Sequence, residues 1–220
     1  MSDKLDRLKE KIRDRAGGGW AVGFPDSRNG ISPIDIVSGI RECPRLAEVR
    51  GSIESMWDRT DRDGLEYAAP LVERSGSLRL GSLKRGEEDT VETGEIFDAV
   101  PLDLMTPIGT VHTHPVGGWN TILSGRDIYS HIVRTRDMYP DYRYSYTVTE
   151  VGGGVVVFGL VSNTDENQRS DYDQLMGRVE SPLRDSVLGE RNRDLEQLKG
   201  GLGDMWREVS GEITPCRVGL

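Results

Sequence analysis

Two of the three histidines in this 220-residue chain stand together in Thr110-Val-His112-Thr-His114-Pro115. A serine and an aspartate follow a short way on, in Ser124-Gly-Arg-Asp127. Side chains alternate along a strand, so histidines two positions apart project from the same face. Two imidazoles and one carboxylate make the donor set of an open zinc site, with three protein ligands and a fourth position left for water. Such a site suits hydrolysis of an amide bond. The third histidine, His131, lies four residues beyond Asp127 on the same expected helix and is a weaker candidate ligand.

The scarcity of histidine narrows the choice. Amidohydrolase barrels and polymerase-associated phosphoesterases also use His-x-His, but both need further histidines. The β-lactamase-type pattern fails directly, because Pro115, Val116 and Gly117 follow His114.

The more specific pattern is His-x-His-Pro, then a loop, then Ser-x-x-Asp. On His112, His114, Pro115, Ser124 and Asp127 it resembles the JAMM motif of the MPN (JAB1/MPN/Mov34) metalloprotease family, in its prokaryotic form. The resemblance implies that His112, His114 and Asp127 bind Zn2+. It also implies that Ser124 stabilises the carbonyl oxygen and that an upstream glutamate is the general base. Two departures stand out. Twelve residues separate His114 from Asp127, two more than is usual, and Leu123 precedes the serine where a proline is common. An expansion at Gly117–Thr121 can bulge outward at small entropic cost. For the base, Glu66 fits best, after a helix and a turn and 46 positions before His112; Glu73 is the alternative. Trp119, in the expanded loop, either lines a substrate groove or anchors the loop.

Several elements must position these residues. Leu5, Leu8 and Ile12 mark a short amphipathic helix over residues 3–15, and Ser32-Pro33 opens another through about Arg41. From Pro44, apolar residues recur at three and four positions to Trp57, which predicts a helix ended by a turn over residues 61–64. Leu65–Val72 and Ser77–Leu83 read as hairpin strands, Lys84–Asp89 as loop, and Thr90–Ala99 and Pro107–His114 as further strands. Ser124 starts a helix with Asp127 in its first turn, which is also the capping-box pattern. Arg143–Glu150 and Gly154–Val161 form a second hairpin. The charged stretch from about Asp165 reads as a peripheral helical tail.

The element order predicts an α/β domain with a mixed sheet, and the resemblance implies that this sheet is MPN-like (cytidine-deaminase-like) and flanked by helices. The expected divisions are an N-terminal helical extension over 1–43, the metalloprotease domain over 44–164 and a helical tail over 165–220. Formal charge is −9, with 37 acidic against 28 basic residues, which argues against non-specific nucleic-acid binding. No apolar run is long enough to span a bilayer, and the expected location is the cytoplasm. Cys43 and Cys216 are far apart and in no metal-binding spacing, so two free thiols are expected. The resemblance implies a ubiquitin-like protein conjugate or sulfur-carrier precursor as substrate. Peptides of cell walls or viral structures are the next choice, and a non-catalytic MPN scaffold is the reading from another class.

Overall fold

The computed structural model describes residues 42–87, 91, 95–115, 124–138, 141–151, 154–162, 169–192 and 194–220. The helices expected over 3–15 and 32–41 lie outside these residues, as do Trp119 and the Gly117–Thr121 expansion.

The described chain is mixed α/β, a seven-stranded mixed sheet flanked by helices. A 3-10 turn at Leu46–Glu48 leads into helix α1, Arg50–Asp63. Gly64 ends it in a left-handed conformation, φ 69°, with its N–H on Thr60 O. Glycine takes that conformation without a Cβ clash. The helix thus absorbs most of the turn expected over residues 61–64.

Strand β1, Tyr67–Arg74, pairs antiparallel with β2, Ser77–Leu80, and with the short β3, Lys84–Arg85. The pairing at Lys84–Arg85 corrects the expectation of an uninterrupted loop there. Residues 95–97 form a 3-10 turn rather than a strand. Ile96 and Phe97 of this turn are both buried, in a small cluster with Ala68 and Tyr142. Strand β4, Thr106–Thr113, follows, then helix α2, Gly125–Val133, which continues as a π-helical turn over Arg134–Met138. Strands β5, Tyr144–Val151, and β6, Gly154–Ser162, precede helices α3, Arg169–Asn192, and α4, Leu195–Val209. The last strand, β7, is Ile213–Gly219.

The sheet order is β2-β1-β4-β5-β6-β7, with β3 also on β1. Only β4 and β5 run parallel; the other pairings are antiparallel. One face buries Ala69, Leu71, Val111, Tyr146, Val148 and Val157 with Ile53, Met56 and Trp57 of α1. The other face buries Val156, Phe158 and Leu160 with Ile128 and Ile132 of α2 and residues of α3 and α4. The alternation of Ser145, Thr147 and Thr149 with Tyr144, Tyr146 and Val148 sorts β5 between these faces.

Two expectations about the ends of the domain are overturned. The segment after residue 165 is not a peripheral helical tail: β7 pairs with β6 along Val156–Ser162 and forms one edge of the sheet. Cys43 and Cys216 are not free thiols but form a disulfide across 173 positions. Cys216 of β7 stands opposite Gly159 of β6, and Cys43 precedes α1, so the fold brings both to the α1 face. No helix among the described residues is long and apolar enough to cross a membrane.

Candidate metal centre

His112 and His114 come from the end of β4, and both side chains leave the sheet on the α2 side. His112 aligns with Ala68 of β1 and Thr147 of β5, while the His114 N–H donates to Val148 O at 2.8 Å. The intervening Thr113 points the other way. Its hydroxyl pairs with Thr60 Oγ1 of α1 at 2.5 Å and accepts the Tyr67 N–H at 2.9 Å. The strand is thereby tied to α1 between the two imidazoles.

Asp127 reaches the histidines from the first turn of α2. Ser124 is the N-cap of this helix and forms a full capping box with Asp127. Asp127 N–H donates to Ser124 Oγ at 3.2 Å, and Ser124 N–H donates to Asp127 Oδ2 at 2.7 Å. The Ser124 hydroxyl also donates to Oδ2, at 2.8 Å. These bonds fix the carboxylate against the end of the sheet.

The three candidate ligands converge. His112 Nε2 lies 3.1 Å from both His114 Nε2 and Asp127 Oδ1, and His114 Nε2 lies 3.8 Å from Asp127 Oδ2. The group's ligand atoms all fall within 4.8 Å of one another. A tetrahedral zinc ion with bonds of about 2.0–2.1 Å sets its ligand atoms about 3.3 Å apart; the His112–His114 and His112–Asp127 spacings match this, and the His114–Asp127 spacing is wider. Both histidines are buried and Asp127 is partly exposed.

Glu66 stands immediately before β1, held by backbone bonds to the β3 segment: its N–H donates to Glu87 O and its carbonyl accepts from Gly86. The side chain is buried, with Oε1 3.9 Å from His114 Nε2. The structure thus brings together Glu66, His112, His114, Ser124 and Asp127. Glu73 lies toward the opposite end of β1, aligned with Thr106 at the start of β4, and is ion-paired with Arg45. It is excluded from the group by position.

Electrostatics bind the cluster together. Burial works to depress the His112 pKa, but the charge and hydrogen bond of Asp127, aided by Glu66, hold it above its usual value. Burial likewise opposes ionisation of Asp127. His112 and His114, with the Ser124 N–H, outweigh it and keep the carboxyl well below the usual range. A carboxylate ionised against two imidazoles is the state in which it can ligate a cation.

His131 does not join the centre. It is fully buried, with Nδ1 2.8 Å from Ser145 Oγ and Nε2 2.8 Å from Ser162 Oγ. Both ring nitrogens are occupied, and burial followed by the charge of Arg134 pushes its pKa down to about 3. Two hydroxyls of β5 escape a motif search: that of Thr147 lies 3.3 Å from His112 Nε2, and that of Thr149, two positions on, is buried without a hydrogen-bond partner. Their signal in the sequence is a run of small polar residues, Ser145, Thr147 and Thr149, at every second position of an otherwise apolar strand.

No protein-family model matches the chain, and no curated protein is significantly similar to it.

Proposed function

We propose that this chain is a zinc-dependent peptidase or isopeptidase of the JAMM type, in which the mixed sheet is of the MPN kind. The observation that carries the reading is the meeting of three ligand-type atoms with a buried glutamate beside them. His112 comes from β4 and His114 from the residue after it, Asp127 from α2 and Glu66 from the residue before β1. Two imidazole nitrogens and one carboxylate oxygen, closely spaced and three in number rather than four, suit zinc in a hydrolytic rather than a closed structural site.

A bound zinc ion supplies Lewis acidity toward a substrate carbonyl and lowers the pKa of water near it. The remaining roles belong to the chain. Glu66 accepts a proton from the attacking water and returns it to the leaving amine, a transfer that its position beside His114 permits. Ser124 offers a hydroxyl to the carbonyl oxygen as charge develops there. To do so it turns from Asp127 Oδ2, which it contacts now, while its backbone N–H continues to hold that carboxylate. His112, His114 and Asp127 hold the cation.

The substrate assignment rests on the resemblance: a conjugate or precursor of a ubiquitin-like modifier, cut after a C-terminal Gly-Gly. The test is incubation of the purified chain with a Gly-Gly-linked modifier conjugate, with and without chelator, alongside metal analysis. Chelator-sensitive release of the modifier and one zinc per chain, lost in His112→Ala, support the reading. A chain that takes up no zinc removes the metallopeptidase reading. A zinc-loaded chain that cuts other peptides but not the conjugate removes only the substrate.

A further inference from the structure

His131 stands one helical turn beyond Asp127 on α2, and residues at i and i+4 share a helix face. Its two ring nitrogens reach hydroxyls on two different strands, Ser145 on β5 and Ser162 on β6, each at 2.8 Å. A neutral imidazole has one donor and one acceptor, so both are used in this bracket. The bracket is itself braced. Ser145 Oγ lies 2.7 Å from the Tyr142 hydroxyl, which lies 2.9 Å from Thr110 Oγ1 of β4. On the other side, Ser162 Oγ lies 3.0 Å from Thr135 Oγ1, in the turn that continues α2.

Helix α2 has only nine residues, too few to be stable or oriented by its own hydrogen bonds. On its far side Ile128 and Ile132 pack among apolar residues such as Leu175 and Met205, through contacts that have no hydrogen-bond direction. At Gly125 the approach is closer, since a Cβ there would come 2.5 Å from Ser186 Oγ. From the helix interior, His131 makes directional contacts to the sheet through both of its ring nitrogens.

We propose that His131 is a positioning residue of the metal centre: by bridging Ser145 and Ser162 it sets the rotation and height of α2, and so places Asp127 against His112 and His114. The inference rests on the metal-centre reading above. Metal–ligand bonds tolerate errors of only about 0.2 Å, so a helix free to shift by more than that weakens the site without unfolding the domain.

The test is cobalt(II) titration of the full chain, followed by absorbance, for the wild type, His131→Leu, His131→Gln and the double variant Ser145→Ala, Ser162→Ala. Thermal unfolding of each metal-free protein is recorded in parallel. Both His131→Leu and the double serine variant are expected to bind cobalt about 10–100-fold more weakly, the range seen when groups that orient ligands are lost. Their visible bands should also shift from those of the wild type. His131→Gln, which can still reach Ser162, should fall between. The double serine variant keeps the imidazole and the core volume, so it answers the question if His131→Leu does not fold. Lower melting temperatures with wild-type cobalt affinity and spectrum would show that His131 only fills the core, and would overturn the proposal. A wild type that binds no cobalt overturns the metal centre itself, an outcome separable from failure at His131.

Discussion

Glu66, Ser124 and His131 are all polar and at least partly buried, yet each is set up for a different task. Glu66 is buried and faces the histidines, and glutamine has nearly the same shape without the charge. Glu66→Gln is expected to retain zinc and lose turnover by about 10²–10⁴, the range of a positioned proton-transfer group. Normal hydrolysis by that variant would take the base role from Glu66. Ser124 caps α2 and also faces the candidate ligands, so Ser124→Ala should change two observables. Stability should drop by about 1 kcal/mol from the lost cap, and turnover by about 10²–10³. Ser124→Thr should recover both; a loss of stability alone assigns Ser124 to the cap. His131 gives a pH dependence. Its folded pKa of about 3 lies below the unfolded value of about 6.5, so between them the unfolded chain binds more protons. Stability therefore rises with pH across that window and falls as pH drops from about 6.5 toward 3, by an amount on the order of a few kcal/mol. Melting temperatures of wild type and His131→Gln recorded from pH 7 to 4 should converge; parallel curves would show that His131 is not buried neutral.

Among the elements, β4 carries the largest share of the site because its two faces do separate work. His112 and His114 serve the cluster, while Thr113 bonds to Thr60 and to the Tyr67 N–H on the α1 side. Thr113→Val keeps the shape and leaves a buried N–H unsatisfied, at a cost of about 1–3 kcal/mol. Because the lost hydroxyl faces away from the imidazoles, zinc affinity of the folded protein should hold. A large fall in affinity would mean that α1 and the cluster are mechanically coupled. The same strand shows what the sequence discloses. The His-x-His pair, the strand that bears it and the capped helix at Ser124 are encoded by period and capping chemistry within the single stretch Thr106–Val133. They were therefore legible, and so was Glu66, which follows a helix stop at Gly64. The pairing of β7 with β6 was not, since a strand of Ile213-Thr-Pro-Cys-Arg-Val-Gly gains its identity from a partner more than fifty positions earlier. Nor was the His131 bracket, whose two serines lie on different strands and become neighbours only when the sheet forms.

Across the whole molecule, the bond between Cys43 and Cys216 closes a span of 173 positions and ties the segment before α1 to the last strand. Both sulfurs are buried in the α1-side core, where Gly159 leaves room for Cys216 against Tyr146. A cross-link over so long a loop restricts the unfolded chain strongly, for a stabilisation of about 2–5 kcal/mol. The candidate centre lies on the other face of the sheet, so the bond has no direct contact with any ligand. Cys43→Ser with Cys216→Ser should therefore unfold at clearly lower denaturant, with faster amide exchange along Ile213–Gly219, while the folded fraction keeps its zinc. Loss of zinc before loss of fold would show that the edge strand and the centre are coupled through the sheet. The bond also bears on the expected cytoplasmic location, because disulfides are rare where glutathione keeps thiols reduced. Alkylation of the denatured, unreduced chain from its own host decides this. No modified cysteine means that the bond is held in the cell, and two modified cysteines mean that the working protein carries thiols and stands nearer the lower stability of the serine variant.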